Sequence, residues 1–262
     1  MKFRIIGVRV FETPLHEAAN KGQQDIVEEL IFLGTDVNVT DSFGSTPLFD
    51  AASEGHEGVA RLLIAKGANV KARNTSGNSP LHVAAVSGHK EVAELLIANG
   101  ADVDARGDRN FTPLHLAASN RNDDIAKLLI ANGADVNAKN NHGFTPLHLA
   151  HTIEIAEMLI AKGSDINAKD IEGNTPLHEA DTNDVAELLI ARGADINARN
   201  AKGRTPLHVA EFCFHIDAAK VLIAKGAEVN AKDEKGWTPL RYAIDHCNKL
   251  MVELLKWHGG KE

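Results

Sequence analysis

Residues 173–193 read GNTPLHEADTNDVAELLIARG, and the TPLH at 175–178 recurs along the whole chain. A threonine, or once a serine, followed by Pro-Leu begins each copy, at Thr13, Thr46, Ser79, Thr112, Thr145, Thr175, Thr205 and Thr238. The spacings between copies are 33, 33, 33, 33, 30, 30 and 33 residues. The eight copies occupy the chain from residue 13 onward, so the sequence predicts no linker and no second domain.

Each copy carries the signals of two helices and a loop. Threonine is a good N-cap whose hydroxyl accepts a backbone N–H, and proline suits the first helical position. The later VAELLI at 185–190 is apolar at helical spacing, which predicts a second helix. A glycine such as Gly193 ends that helix, and a Gly-centred turn predicts a hairpin-like loop. Asn110 replaces one turn glycine and is expected to adopt the same positive φ.

These features resemble the ankyrin repeat, whose signature is TPLHxA at a period of 33 residues. The resemblance covers residues 13–262 and implies an all-α ankyrin-repeat solenoid of eight helix-turn-helix-loop units with hairpin-like loops. It also implies protein binding rather than catalysis. In this family the TPLH histidine is a structural residue that supports the turn between neighbouring repeats. That role would fall to His16, His82, His115, His148, His178 and His208.

Residues 1–12, which begin MKFRIIGVRV, are predicted to form an N-terminal extended segment outside the repeats. Their apolar side chains favour packing against the first repeat, because so apolar a run is unlike typical disorder. A disordered leader and an independent binding element remain the alternatives.

Composition and charge narrow the function classes. The formal net charge of −8 argues against a dedicated nucleic-acid binder, and no apolar run is long enough to span a membrane. Two cysteines fit a reducing compartment, so we expect a cytoplasmic, monomeric protein, with export as an effector left open. No nucleotide-binding, hydrolase or metalloprotease motif is present, and we expect neither a cofactor nor an enzyme.

Two cysteines and two histidines lie near the same helix ends of the seventh and eighth repeats, at Cys213, His215, His246 and Cys247. Zinc takes such ligands in a tetrahedron, but the spacings C-x-H and H-C are unusual. The sequence therefore favours free thiols, with a metal site as the alternative.

One basic residue recurs in each of six loops, at Arg73, Arg106, Lys139, Lys169, Arg199 and Lys232. Stacked repeats would align these residues along the loop edge. They either solubilise that edge or form a cationic stripe for an acidic partner or phosphates.

Partner contacts in this family come mostly from the loop tips and the inner face of the first helices. Carried onto this chain, the predicted contacts are Phe43, Arg109, Phe111, His142, Phe144, Ile171, Arg204, Phe212 and Trp237. The tip aromatics either anchor a protein partner or brace adjacent loops. Two alternatives are recognition of a small molecule or nucleotide by loop aromatics and arginines, and a designed or structural solenoid with no natural partner.

The two repeats of 30 residues lack three residues between their helices, where HTIE (151–154) and DTND (181–184) stand. The loss removes the end of the first helix and predicts a local notch. The notch is either a neutral contraction of an exposed turn or a docking feature.

Overall fold

The computed structural model describes residues 13–212 and 215–262, and Phe212 only through its backbone. The predicted extended segment 1–12 and Cys213 lie outside this part of the chain. All regular secondary structure within it is helical, as the repeat pattern predicts. No helix there has the length and apolarity needed to cross a membrane.

The helices follow each other in pairs. The pairs are α1 (Pro14–Asn20) with α2 (Gln24–Phe32), α3 (Pro47–Glu54) with α4 (Glu57–Ala65), α5 (Pro80–Ser87) with α6 (Lys90–Ala98), α7 (Pro113–Ser119) with α8 (Asp123–Ala131), the 3₁₀ turn Pro146–Leu149 with α9 (Ile153–Ala161), α10 (Pro176–Glu179) with α11 (Asn183–Ala191), α12 (Pro206–Phe212) with α13 (Ile216–Ala224), and α14 (Pro239–Asp245) with α15 (Lys249–Trp257). A further 3₁₀ turn spans Asp108–Asn110.

Local sequence explains where these helices begin and end. In the third repeat, Ser79 is extended at φ −103° and ψ 167°, and Pro80 opens α5 at the first position, where no N–H is needed. The helix ends at Gly88, whose φ of 85° suits a residue without Cβ. In the loop before α7, Asn110 has a φ of 61°, which confirms that it takes over the conformation of the usual turn glycine.

The chain forms two compact units, and the boundary runs through the fourth repeat. The first unit holds residues up to Leu116 together with Ala131–Ala134, and the second holds Ala117–Ile130 and the residues from Asp135 onward. In the first unit α1 packs on α3 and α3 on α5, while α2 packs on α4 and α4 on α6. In the second unit the same order continues from the 3₁₀ turn Pro146–Leu149 through α10 and α12 to α14.

The core of each unit consists of small and aliphatic side chains at repeated positions. The leucine of TPL is buried in every repeat, for example Leu81 and Leu207 at 0% exposure. Four residues further on, the first four repeats carry an alanine at 0% exposure, at Ala19, Ala52, Ala85 and Ala118. Repeats five to seven carry His151, Asp181 and Glu211 at this same position.

The end repeats of an ankyrin stack have one face without a neighbouring repeat, which tolerates polar and charged side chains. Lys256 is exposed, as expected from its position in the last repeat. Phe32 and Trp257 are 87% and 86% exposed, although the interior repeats carry alanine at this place in the second helix. The hydrophobic pattern did not predict these exposed aromatic side chains.

Candidate binding surface of the loop tips

Six of the seven loops share one backbone framework, set by an Asp or Asn at the loop start, whereas Gly107 stands at this position in the loop before α7. Asp170, for example, accepts the backbone N–H of Glu172 at 2.8 Å and of Asn174 at 2.7 Å. The same pair of hydrogen bonds occurs at Asp41, Asn74, Asn140, Asn200 and Asp233. The side chain therefore replaces missing backbone partners and holds a tight turn.

The next two residues in each loop project from this framework, and we name them the loop tips. They are Ser42-Phe43, Thr75-Ser76, Asp108-Arg109, Asn141-His142, Ile171-Glu172, Ala201-Lys202 and Glu234-Lys235. Backbone hydrogen bonds join consecutive tips, such as Ile171 N–H to the His142 carbonyl at 3.0 Å and Ala201 N–H to the Glu172 carbonyl at 2.8 Å. The backbone of the tips is therefore held in place, while the tip side chains differ from one repeat to the next.

The TPLH histidine connects a helix start to the following loop. In the sixth repeat the Thr175 backbone N–H donates to Nδ1 of His178 at 3.1 Å, so Nδ1 is the unprotonated nitrogen. Nε2 therefore carries the proton and donates to the Arg204 carbonyl at 3.1 Å. The Thr175 hydroxyl lies 2.9 Å from the same imidazole nitrogen, and Thr175 and His178 together form a capping box at the helix start.

The same bridge to the next loop recurs in other repeats. It joins His16 to Ser45, His82 to Phe111, His148 to Asn174 and His208 to Trp237. Burial lowers the pKa of His82 and His178 to about 4 and also lowers the pKa of His148 and His208. These imidazoles are therefore neutral at pH 7, as the bridge requires.

The histidines between paired helices form a second hydrogen-bonded connection between repeats, here called a joint, with the preceding repeat. Nε2 of His56 lies 2.9 Å from the Asn20 carbonyl, and Nε2 of His89 lies 2.9 Å from the Ser53 carbonyl. The equivalent His215 follows a shortened repeat, and its buried Nδ1 has no hydrogen-bond partner in the described part of the chain.

Asparagines just past the second helices make a third joint. Asn137 donates to the Gly163 carbonyl at 3.0 Å and accepts the Asp165 N–H at 2.9 Å. Asn38 and Asn167 make the same two bonds to their following repeats. Lys71 stands at this position in the second repeat, which therefore lacks this amide.

The basic residues of the loop edge also act as joints. Arg73 donates to the Arg106 carbonyl, and Arg199 donates to the Lys232 carbonyl at 2.7 Å. Lys139 and Lys169 reach the carbonyls of Lys169 and Arg199 in the same way. These hydrogen bonds give the repeated cations a structural role, while their exposed charge keeps the cationic stripe as an untested prediction.

The predicted contact residues differ in exposure. Phe43 and Ile171 at the loop tips are 57% and 69% exposed, and Arg109 is exposed with a φ of 47°. Phe111 and Phe144 are half-buried, with ring centroids 5.7 and 5.6 Å from those of His115 and His148. These ring contacts support a bracing role for the two phenylalanines.

The other predicted contacts lie in the second unit. His142 is half-buried, with its ring centroid 6.0 Å from that of Phe144. Phe212 lies at the end of α12, and its side chain is outside the described part of the chain.

Arg204 and Trp237 meet around Tyr242, a residue that no sequence motif singles out. The Tyr242 hydroxyl donates to Oδ2 of Asp233 at 2.7 Å and accepts from Arg204 at 2.8 Å. The Trp237 and Tyr242 ring centroids are 4.9 Å apart, and the Arg204 guanidinium lies 4.7 Å from the Tyr242 ring centroid. The available signal was the change from TPLH to TPLR at 238–241, which marks the last repeat as unusual.

Electrostatics in this cluster follow from its contacts. Burial alone would raise the pKa of Asp233, but hydrogen bonds from Tyr242 and from the backbone of Trp237 and Lys235 outweigh it and lower the pKa. Burial and the Asp233 hydrogen bond raise the pKa of Tyr242. Asp233 is therefore ionised and Tyr242 neutral at pH 7, which is the arrangement that their hydrogen bond needs.

The two short repeats lose the end of the first helix, as predicted. The 3₁₀ turn Pro146–Leu149 and α10 have four residues each, whereas α12 has seven. His151 and Asp181 follow these turns and form a pair, with 3.1 Å between Nδ1 and Oδ2. Arg121 lies 3.6 Å from the same carboxylate. Burial would raise the pKa of Asp181, but the His151 hydrogen bond and the charges of His151 and Arg121 lower it.

Of the candidate metal ligands, His246 pairs with a carboxylate and Cys247 faces solvent. Nδ1 of His246 lies 3.3 Å from Oε2 of the fully buried Glu211, and the Cys247 thiol is free and exposed. Burial raises the pKa of Glu211, and His246 partly offsets this rise. Residues 13–212 and 215–262 contain no group of three or more potential metal ligands, and Cys213 lies outside them.

Comparison with known proteins gives a consistent result. The family model for ankyrin repeats, in three copies, matches residues 15–107, 104–170 and 177–261. The solved human ASB11 ankyrin repeat domain is similar, with a TM-score of 0.73 and 26% identity over 82% of this chain and 99% of its own. No curated protein sequence gives a match. The matched residues span most of the sequence, so the chain belongs to the ankyrin repeat family.

Proposed function

We propose that this protein is a non-catalytic binding module that holds a protein partner with its loop tips and the inner face of its first helices. Ankyrin repeats are generally protein–protein interaction modules, and their fold is typically non-catalytic. The observation that carries the proposal is the contrast within the loops. Hydrogen bonds of one pattern fix the backbone, while the tip side chains range from Ser42 and Phe43 to Ile171 and Lys202.

A fixed backbone with variable side chains favours recognition, because little conformational entropy is lost when a partner binds. The exposed Phe43 and Ile171 are apolar side chains of the kind that protein interfaces bury. A scaffold, an adaptor, an inhibitor and an effector would all use such a surface. The exposed Cys247 thiol supports a reducing location such as the cytoplasm.

The small-molecule alternative gains no specific support. A recess of about 370 Å³ in the last repeat is lined by Ala243, Ile244, Cys247, Lys249, Val252 and Glu253. None of these residues belongs to the loop aromatics and arginines on which that alternative depends.

Site-specific photo-cross-linking tests the proposal. A photo-reactive phenylalanine analogue is placed at Ile171 on a tip and, as a control, at Lys127 on the outer side of α8, and the protein is irradiated in cells of its source organism. We expect a discrete protein adduct from position 171 and none from position 127. Adducts only from position 127, or from neither, would contradict the proposed surface.

The aromatic residues two positions after the loop tips provide a second test. Replacing Phe111, Phe144 or Trp237 by alanine is expected to weaken capture of the cross-linked partner about tenfold or more, through loss of direct contact or, for the two phenylalanines, of support for the adjoining tip. Circular dichroism checks that each variant keeps its helices. Unchanged capture by all three variants would place the contact elsewhere.

A further inference from the structure

The last repeat lacks the histidine that six repeats carry at the third residue after the threonine or serine. The corresponding His178 and His208 are buried and donate to a carbonyl of the following loop. Arg241 stands at this place in the eighth repeat, and its guanidinium carbon lies 5.4 Å from the centre of the Trp237 ring. The TPLH histidines connect to the following loop, whereas the exposed, charged Arg241 side chain lies over the ring of the partly exposed Trp237.

The Trp237 ring has a fixed support beneath it. Tyr242 is 5% exposed and packs against the Trp237 ring, while its hydroxyl group bonds to both Asp233 and Arg204. Asp233 also accepts the backbone N–H of Trp237 and of Lys235, each at 2.9 Å. An aromatic side chain held in this way needs little ordering when a ligand covers it.

The surroundings of Trp237 are cationic, unlike the chain as a whole. Lys235 places its ammonium nitrogen 5.8 Å from the ring centre, on the same loop. Lys232, on the same loop, and Arg241 add two more exposed positive charges, against two exposed carboxylates, Glu234 on the tip and Glu262 beside Arg241. The whole chain, by contrast, has a formal net charge of −8. A local positive balance on an acidic protein selects for an acidic ligand.

One carboxylate already approaches this place. The side chain of Glu262 lies 3.8 Å from the Arg241 guanidinium, and both side chains are about half exposed, at 60% and 45%. A pair so exposed is weak and is readily displaced by a competing carboxylate. The contact shows that a carboxylate fits beside Arg241.

We propose that Trp237, Arg241 and Lys235 bind a short acidic peptide segment of a partner protein, with an apolar side chain on the Trp237 ring and carboxylates at Arg241 and Lys235. The inference rests on the proposed function, because it names the partner chemistry of one part of the same surface. The indole supplies apolar contact area, and the two cations supply charge selectivity.

Selection from a phage-displayed library of random 12-residue peptides on the full-length protein tests the proposal. Enriched peptides are synthesised, and their affinities are measured by fluorescence anisotropy. We expect the enriched sequences to combine Asp or Glu with an apolar residue. Trp237→Ala and Arg241→Glu are each expected to weaken their binding at least about tenfold. A charge swap then tests direct contact: Arg241→Glu is expected to regain affinity for the same peptides with lysine in place of an acidic residue.

Two matched controls accompany these variants. Trp257→Ala removes a more exposed tryptophan at the end of α15, and Arg192→Glu reverses an exposed arginine beyond α11. Both are expected to bind the peptides like the unchanged protein. Thermal melting confirms that all four variants are folded.

Several outcomes overturn the inference. They are a library that yields no binder, enriched peptides without an acidic excess, equal binding to the Arg241→Glu variant, and no recovery in the charge swap. Partner adducts at position 171 would leave the proposed function standing in each of these cases. Loss of those adducts would remove the proposed function itself.

Discussion

At the scale of single residues, the polar side chains that repeat along this chain form hydrogen bonds between neighbouring repeats. The imidazole of His178 accepts a backbone N–H from its own repeat and donates to a carbonyl of the next one. The repeat pattern and the family resemblance predict this supporting role. They do not predict the tautomer, because the proton position depends on which backbone atoms surround the ring after folding.

Glu179 shows that not every charge is well placed for stability. It follows His178, and its pKa is raised to about 6, first by burial and then by Asp170 and Glu172. When the pKa of a carboxyl group is higher in the folded than in the unfolded state, its ionisation lowers the free energy of unfolding. Stability therefore falls as the pH rises above the unfolded-state pKa. At pH 7 the carboxylate therefore opposes folding.

We expect Glu179→Gln to raise the free energy of unfolding at pH 7 by up to about 2 kcal/mol, since each pKa unit corresponds to about 1.4 kcal/mol. The gain should shrink towards zero by pH 4, where both states bind the proton. Urea unfolding at the two pH values measures it. Glu17→Gln is the matched control, because Glu17 has the same place in the first repeat but its pKa is lowered by Lys21. An equal gain at both pH values would contradict the electrostatic explanation.

At the scale of elements, the joints between repeats decide how well neighbouring helix pairs hold together. The asparagine joint is present after α2, α8, α9, α11 and α13. The second repeat has Lys71 instead, with Gly100 and Asp102 at the spacing that the joint uses elsewhere. The sequence shows that asparagine recurs at this position but does not reveal its two partners, since they lie in another repeat.

Lys71→Asn is expected to add the missing joint and to raise the free energy of unfolding by about 1–2 kcal/mol, from two hydrogen bonds. Thermal or urea unfolding measures the change. Asn38→Lys is the reverse substitution at the preceding joint and is expected to lower stability by a similar amount. A Lys71→Asn protein no more stable than the original would show that the joint depends on more than the amide.

The shortened repeats make a different connection, because they lack the end of the first helix. Thr152 caps α9 by accepting the Ile155 N–H at 3.2 Å and donates to Asp123 at 2.7 Å. The His151–Asp181 pair then links the two short copies. Sequence spacing predicts the shortening, but the pairing depends on the path of the new turns.

A double-mutant cycle on His151→Ala and Asp181→Ala measures this link. We expect a coupling free energy of about 1 kcal/mol at pH 7, since the pair is partly exposed. The coupling of Asp181 to the exposed Arg121 should fall in high salt, because exposed charges are screened. Additive single-mutant effects would mean that the pair contributes no net stability.

At the scale of the whole molecule, the repeated histidines make stability depend on pH. Burial lowers the pKa of His82 and His178 to about 4, against an unfolded value near 6.5, and also lowers it for His148 and His208. A base with a lowered folded pKa favours folding fully above the unfolded pKa and less as the pH falls. Glu179 and Glu211 have the opposite effect, but they are fewer.

We therefore expect the urea midpoint to fall as the pH is lowered from about 6.5 towards 4, with several protons taken up on unfolding. Far-ultraviolet circular dichroism at half-unit pH steps follows the loss of helix. Replacing His178 by Asn should reduce the slope of stability against pH, whatever its effect at pH 7. A midpoint that stays constant over this range would contradict neutral, buried imidazoles.

Prediction from sequence succeeded where a signal repeats and stopped where it does not. Eight copies of the Thr/Ser-Pro-Leu motif, five of them reading TPLH, predict the helix pairs and the family. The asparagine at position 110 predicts a positive φ there, because local geometry and repetition decide these features. The cluster of Arg204, Asp233 and Tyr242 was missed, because its members are up to 38 residues apart and because the arginine and the tyrosine each occur at their repeat position only once. The exposure of Trp257 was missed because it depends on the absence of packing neighbours.

The acceptors of the repeated joints have an evolutionary consequence. The TPLH histidines, the inter-helix histidines, the loop cations and the asparagine amides all donate to main-chain carbonyls. Every amino acid supplies a carbonyl, so the receiving repeat needs no matching side chain. A gene duplication that inserts one more copy creates two new boundaries that are already compatible, and unequal recombination that removes a copy leaves one. The array can therefore change its length in whole units while each tip diverges on its own.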